Sequence, residues 1–380
     1  MSTSAVTNPG RLGAGLIAVA LPLVNIGLAL LASGAVIMAI GEDPLEAGKI
    51  LIQGALGSGE AIGYTLYYST NLIFTGLAVA VAFHAGLFNI GGEGQAYVGG
   101  LGVTLVALGL DAHLPLVLLL PLALAGAALF GAAWAFIPAW LQARRGSHIV
   151  ITTIMFNFIG SALMVYLLVN VLIRPGSMTP ETRMLAEDAW LPFMHELLGL
   201  VGIEAPSSPL NLTFFWALIA CAAVWVYVWK TRWGFELRTV GANEAAAVYA
   251  GISPARVIVT TMCISGGLAG FVAINEVLGV HHRLFLDFPA GYGFTGIAVA
   301  LMGRNHPLGI IIAAVLFGVL YQGGAELAFE IPSITRDLVV VIQGLVILFC
   351  GALEYMARPW LEGMLARVVG ARARVESAPA

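Results

Sequence analysis

The sequence predicts an all-α polytopic membrane protein of about ten transmembrane helices, with broken helices, an inverted repeat and both termini cytoplasmic. Three observations carry this. Of 380 residues, 59% are hydrophobic and only 10% charged, where a soluble domain carries about 25% charge. Long apolar runs alternate with short polar segments along the whole chain. Lysine and arginine cluster in a subset of those polar segments, as the positive-inside rule requires of an oriented membrane protein.

Residues 1–11 form a short polar N-terminus, and residues 12–356 the membrane domain. The first run, Leu12–Ile40, exceeds the 7–15 residues of a signal-peptide core and reads as a retained span. Gly41–Gly59, with Glu42, Asp43 and Glu46 against Lys49, reads as an acidic outer loop. The second span runs from about Ala61 to Phe83. From Ala96 to Leu110 the third has 15 residues, or ~22 Å at 1.5 Å per residue. That falls short of a ~30 Å hydrocarbon layer, so part of the preceding glycine stretch belongs within the membrane. The fourth span, Leu114–Leu141, is closed by Arg144-Arg145, and the fifth is His148–Ile173. The acidic, proline-divided segment 174–211 is extracytoplasmic, and Leu212–Trp229 is the sixth span, with aromatics at both ends as interfacial belts require. The basic loop 230–256 precedes Val257–Gly279, Tyr292–Met302, His306–Gly324 and Leu338–Tyr355, and 357–380 is a basic tail. Ten spans put both termini, Arg144-Arg145 and loop 230–256 on one side and the acidic loops on the other, so the basic side is cytoplasmic.

The stretch Phe83–Gly102, FHAGLFNIGGEGQAYVGGLG, interrupts this pattern. Glycine in a helix interior costs about 1 kcal/mol, and a carboxylate near the bilayer centre about 2.5–3.5 kcal/mol. A chain that accepts both is breaking a helix to line a polar cavity, since irregular backbone at membrane depth survives only where protein or water satisfies it. A second copy of the pattern exists. Gly94–Gly131 and Gly293–Gly318 share a glycine-rich lead, an Ala/Val/Leu run, a turn ending in Leu-Pro-Leu or His-Pro-Leu, and a close in Leu-Phe-Gly. They run in opposite directions in this topology, as in an inverted repeat of about 61–173 and 257–356.

Several chemistries are excluded. Lys49 and Lys230 are the only lysines and neither lies in GxxxxGK[ST], so the chain has no phosphate-cradling P-loop. Cys221, Cys263 and Cys350 lie in apolar runs without CxxC spacing, and no histidine pair has HExxH spacing, so neither disulfide nor metal is expected. No nucleophile–base constellation appears, so the chain is not an enzyme.

In the basic loop, Gly241-Ala242-Asn243-Glu244-Ala245-Ala246-Ala247-Val248-Tyr249-Ala250-Gly251-Ile252 favours a short helix, capped by Asn243 and ended by Gly251 in a left-handed turn. Such a helix suits a groove on a soluble partner. This loop and Gly86-Leu87-Phe88-Asn89-Ile90-Gly91-Gly92-Glu93-Gly94-Gln95, in that pairing, resemble the permease subunit of bacterial ABC importers for simple sugars and nucleosides. The variant GLFNIGGEGQ looks more like the nucleoside branch. The resemblance implies a permease of the inner membrane that moves a nucleoside or sugar by ATP hydrolysis on a separate subunit. It implies partners: the ATP-binding subunit that carries Mg-ATP, a second permease, an extracytoplasmic solute-binding protein, the solute and membrane lipid. It implies no nucleic acid and no cofactor on this chain. Gly241, Asn243, Glu244, Ala245, Ala246, Gly251 and Ile252 resemble the EAA-type coupling loop, with one residue more before the glycine than EAA-x3-G.

Candidate path residues flank the broken segments. Glu93 is placed to cap half-helix amides or orient the glycine turn; Asn89 and Gln95 to bond solute hydroxyls or freed backbone; Phe88, Phe285, Phe288, Tyr292 and Phe294 to present ring faces; Asp287 to touch solute. The alternative from another class is a secondary transporter driven by protons or sodium, with Glu93 and Glu276 as carriers.

Overall fold

The computed structural model describes residues 11–349. Residues 1–10, the basic tail, Cys350 and the end of the expected tenth span lie outside the described residues. Within them the chain is helical: α1 (Arg11–Ile40), α2 (Pro44–Leu56), α3 (Gly59–His84), α4 (Gly92–Leu110), α5 (Leu116–Arg145), α6 (Ile149–Asn170), α7 (Met194–Leu200), α8 (Thr213–Lys230), α9 (Arg232–Ala242), α10 (Glu244–Tyr249), α11 (Pro254–Gly270), α12 (Tyr292–Met302), α13 (Pro307–Glu330) and α14 (Arg336–Ile347). A π-helical segment, Ile274–His281, continues α11. Two isolated bridges are the only β pairings among the described residues. Among the described residues, six helices are long and apolar enough to cross a membrane, or seven if the pair Gly27–Ile40 and Pro44–Leu56, bent by 117°, counts as one.

The chain divides into two units, 1–50 with 327–380, and 51–326. In the first, α1 packs on α14, and the Ser333 hydroxyl donates to the Glu42 carboxylate. The expected loop at 41–59 is corrected here. Pro44 opens a helix whose first free amide, Leu45 N–H, is taken by Asp43 Oδ1 at 2.8 Å, and proline suits that first turn because it lacks an N–H to satisfy.

The second unit is organised on α3, which is buried over most of its length from Ala61 to Ala82. Helix α3 packs against α12 and α11 against α5. Close backbone approach makes both possible. A methyl group on Gly266 would overlap the Gly131 carbonyl, and one on Gly296 would overlap Thr75. Small residues of this kind let membrane helices associate by packing. Helix α13 meets α3 the same way, at Gly318 against Thr65 and Ser69.

Helix α4 starts earlier than the apolar run, at Gly92, and its 19 residues reach ~28 Å at 1.5 Å per residue. The break is confined to residues 85–91. Helix α5 ends in Arg144-Arg145 with Gly146 left-handed at φ +68°. The basic loop folds into α9 and α10, and the acidic segment 174–211 contains α7 and one 3-10 turn, Glu187–Ala189.

Candidate functional site

Local bonds set the break after α3. Gly86 N–H and Leu87 N–H return to Phe83 and Ala82 carbonyls, and Phe88 folds back on Phe83 with ring centroids 5.1 Å apart. Asn89 is fully buried. Its Oδ1 accepts from Gly91 N–H (2.8 Å), and its Nδ2 donates to Gln95 Oε1 and Ser265 Oγ, both at 2.8 Å. Ser265 donates in turn to the Ala78 carbonyl. Asn157 on α6 donates to the Ile90 carbonyl and accepts from Gly94 N–H, each at 2.9 Å. The backbone freed by the break is thus satisfied by Asn89 itself and by Asn157 of α6, while Gln95 of α4 and Ser265 of α11 hold the Asn89 side chain. Asn89 and Gln95 are engaged inside the protein.

Glu93 joins the two broken segments. Its Oε1 accepts from Gly291 N–H at 2.7 Å and its Oε2 from Gly293 N–H at 2.8 Å. These are free amides at the start of α12, where a carboxylate is favoured by the helix dipole. A methyl on Gly293 would overlap the Glu93 amide nitrogen, and Gly92 faces Gly293 directly. The N-termini of α4 and α12 therefore meet backbone to backbone.

Between the π segment and α12 the chain descends beside α4 in a strained course. His282, Asp287 and Ala290 have φ of +54°, +57° and +47°, values uncommon outside glycine. Tyr97 holds this course: its hydroxyl accepts Asp287 N–H at 2.7 Å, and its ring meets Phe288 edge-on. Phe288 and Tyr292 are buried, Phe285 is half-buried, and Asp287 and Phe294 are exposed beside the half-buried Glu93.

A second buried polar cluster lies on the π segment. Glu276, 2% exposed, accepts from Tyr67 Oη (2.7 Å) and Asn71 Nδ2 (2.5 Å) and pairs with His281 Nε2 at 3.3 Å. Neighbouring Asn275 donates to Asn71 Oδ1 and accepts from Asn211 Nδ2, both at 2.9 Å. A wide helical turn is common at functional sites; here it turns two adjacent polar residues toward α3. The sequence offered Glu276 as an ion carrier and gave no sign of Asn275, Asn71 or Tyr67.

The acidic segment is strapped over this end of the unit. Leu191 N–H bonds to the Leu278 carbonyl, Leu185 N–H to His282 and Thr182 N–H to Leu284. Trp190 stacks on His282, with centroids 3.9 Å apart and planes within 7°. Arg183 grips Asp111, at the end of α4, with two bonds of 2.7 and 2.8 Å. That grip, partly opposed by burial, holds the Asp111 carboxyl below the usual carboxylate range.

At the opposite end, Asn243 Oδ1 caps α10 through Ala246 N–H at 3.0 Å, and Gly251 ends it at φ +76°. Ile252 N–H closes the turn on the Ala247 carbonyl. Glu244, Ala245 and Ala246 are exposed, Ala247 is fully buried, and Val248 and Tyr249 stand out at 58% and 95% exposure. Gly241, just before α10, lies on the break itself: a methyl there would overlap the His84 carbonyl oxygen. The His84 ring bonds the Asn305 carbonyl beyond α12 at 3.0 Å.

The family described as branched-chain amino acid transport system, permease component, matches residues 61–351. The glucose ABC transporter permease protein of Haloferax volcanii is 36% identical over 94% of this chain and 93% of its own length. The guanosine ABC transporter permease protein of Bacillus subtilis is 39% identical over 84% and 90%, and the nucleoside ABC transporter permease protein of Lactococcus lactis 34% over 87% and 90%. No solved structure matches the chain. With its membrane-length helices, its glycine-broken pair and its capped loop helix, the chain belongs to this family: it is a multi-pass protein of the cell membrane and the non-catalytic permease subunit of an ABC importer.

Proposed function

We propose that the chain carries a neutral, hydroxyl-bearing ring solute, a nucleoside or a simple sugar, with a nucleoside favoured. Two of the three relatives above are named for nucleosides and one for glucose. The observation that carries the path is the meeting of the two breaks at Glu93. Beside it Asp287 and Phe294 are exposed on the same stretch of chain, a carboxylate and a ring face that suit such a solute. A second permease packs on that face and completes the path. The solute-binding protein of the outer side meets segment 174–211. The ATP-binding subunit, with Mg-ATP, grips α10 on the cytoplasmic side of the bacterial inner membrane, and this chain holds no cofactor of its own.

In this reading the short helices α4 and α12 are spans completed by their non-helical leads, which brings the count toward ten with both termini inside. The reciprocal packing of α3 on α12 and α13, and of α11 on α4 and α5, supports an inverted repeat that pairs α3–α5 with α11–α13 and sets the breaks at its centre.

The test is reconstitution of the permease with its ATP-binding subunit and binding protein. ATP-dependent, vanadate-sensitive uptake of guanosine, ribose or glucose is expected. Concentrative uptake by this chain alone under a proton or sodium gradient would overturn the reading in favour of an ion-coupled carrier.

A further inference from the structure

An open cavity of about 280 Å³ lies where the strap crosses the end of the π segment, lined by Thr179, Glu181, His281, Arg283 and Phe285. Its walls are fixed. Residues 181 and 285 form an antiparallel bridge, Leu284 N–H donates to Thr182 Oγ1 at 3.1 Å, and Arg283 Nη1 bonds Glu181 Oε1 at 3.2 Å. The His281 ring meets Phe285 edge-on at 4.6 Å and reaches the buried Glu276. The cavity stands at the head of the descending course that runs from Phe285 past Asp287 to the Glu93 cap.

We infer that this cavity is an outer receiving site for the solute, where a hydroxyl-bearing ring sits before it enters the path. The inference rests on the solute class proposed above. Its chemistry is that of sugar recognition. Phe285, half-buried, offers a ring face to a sugar or a base. Glu181 engages Arg283 through one oxygen and leaves the other to accept a hydroxyl, Arg283 supplies N–H donors, and His281, with Nε2 on Glu276, keeps Nδ1 for a hydroxyl. A volume near the lower bound of small-molecule pockets, ~300 Å³, accommodates a single sugar or nucleoside. The occupant would also touch His281, whose other partner is Glu276, so its arrival is felt by the cluster that ties the strap to α3.

The experiment uses the permease–ATPase complex without binding protein, with the native cysteines replaced by alanine and Thr179→Cys, at an exposed position, as reporter. Millimolar guanosine, ribose or glucose is expected to slow labelling by a charged maleimide about fivefold, as for a ligand a few times above its dissociation constant. Protection should vanish with Phe285→Ala or Glu181→Gln and persist with Phe285→Tyr. Protection that survives both Phe285→Ala and Glu181→Gln overturns the inference. So does absence of protection in a complex that, given binding protein and ATP, concentrates one of the three; the proposed solute class then stands. If the complex concentrates none of the three, the solute class itself fails and the receiving site falls with it.

Discussion

Gly241 and Gly86 touch through bare backbone: a methyl group added to Gly86 would meet the Gly241 Cα and carbonyl oxygen at 3.4 Å, and one added to Gly241 would overlap the His84 carbonyl. The loop proposed to meet the ATP-binding subunit therefore bears directly on the break after α3. From that break the chain passes through Asn89 and its partners to Glu93, which holds the start of α12. A displacement of α10 has a continuous, rigid route to the point where both half-helices begin.

Gly241→Ala tests this route. The methyl must displace backbone, and overpacking of this kind costs about 1–3 kcal/mol. The complex should still assemble in the membrane, with solute-stimulated ATP hydrolysis and uptake reduced together at least severalfold. Uptake at the wild-type rate would show that the contact transmits nothing.

Tyr249 and Gly251 test the grip itself. Tyr249, an aromatic side chain at 95% exposure on a capped helix, suits an anchor for the proposed ATP-binding partner, and buried aromatic anchors dominate interface energies. Tyr249→Ala should weaken co-purification of the ATP-binding subunit while leaving the permease's own thermal stability unchanged. Gly251→Ala, at φ +76°, should strain the turn by about 1 kcal/mol and misdirect the helix.

Glu93 can be tested by charge and by reach. In Glu93→Gln the amide oxygen accepts one of the two N–H groups of Gly291 and Gly293, and the amide nitrogen is turned on the other. An unsatisfied buried donor costs about 1–3 kcal/mol. Thermal unfolding of the solubilised complex should fall for Glu93→Gln and further for Glu93→Ala, with uptake lost in both. Equal stability of all three proteins would make the cap incidental.

These tests follow unevenly from the sequence. Glu93 was legible because a carboxylate among glycines in an apolar run is costly anywhere, and the Asn243 cap and Gly251 turn because both are bonded within a few residues. Asn157 and Ser265 were not: they reach the break from 63 and 176 residues away, and no local pattern marks such partners. Helix α2 was hidden by Glu46 and Lys49, whose charges read as a loop although Glu46, Ala47, Lys49, Leu51 and Gln53 are all good helix formers. The π segment reads as ordinary helix because its apolar residues also fit a helical period. Its role shows only where Asn275 and Glu276 meet α3.

The strap offers a pH test. Arg183 holds the Asp111 carboxyl below its ordinary value of 3.8. A carboxyl lowered on folding adds stability that is present above its unfolded pKa and is lost as pH falls through the folded one. Hydrogen exchange at Ala186, whose N–H is bonded to Asp111 Oδ2, should stay slow from neutral pH down to the ordinary carboxylate range and accelerate below it. In Asp111→Asn, exchange relative to the intrinsic rate should be fast at every pH. A wild-type profile in that variant would detach the strap from this pair.

Asn275 links the strap to α3 through one amide, accepting from Asn211 and donating to Asn71. Asn275→Leu leaves both partners unsatisfied beside Glu276, each at about 1–3 kcal/mol. Asn275→Asp keeps the acceptor toward Asn211 and sets a second carboxylate beside Glu276, so it should restore the strap and not the bond to Asn71. If the link matters to transport, both variants lose uptake, while only Asn275→Leu frees segment 193–211 to proteolysis. A protected strap in Asn275→Leu would assign the anchoring to the strap's other ties, the backbone bonds at Thr182, Leu185 and Leu191 and the Arg183–Asp111 pair, and Asn275 would then serve the π segment and not the strap.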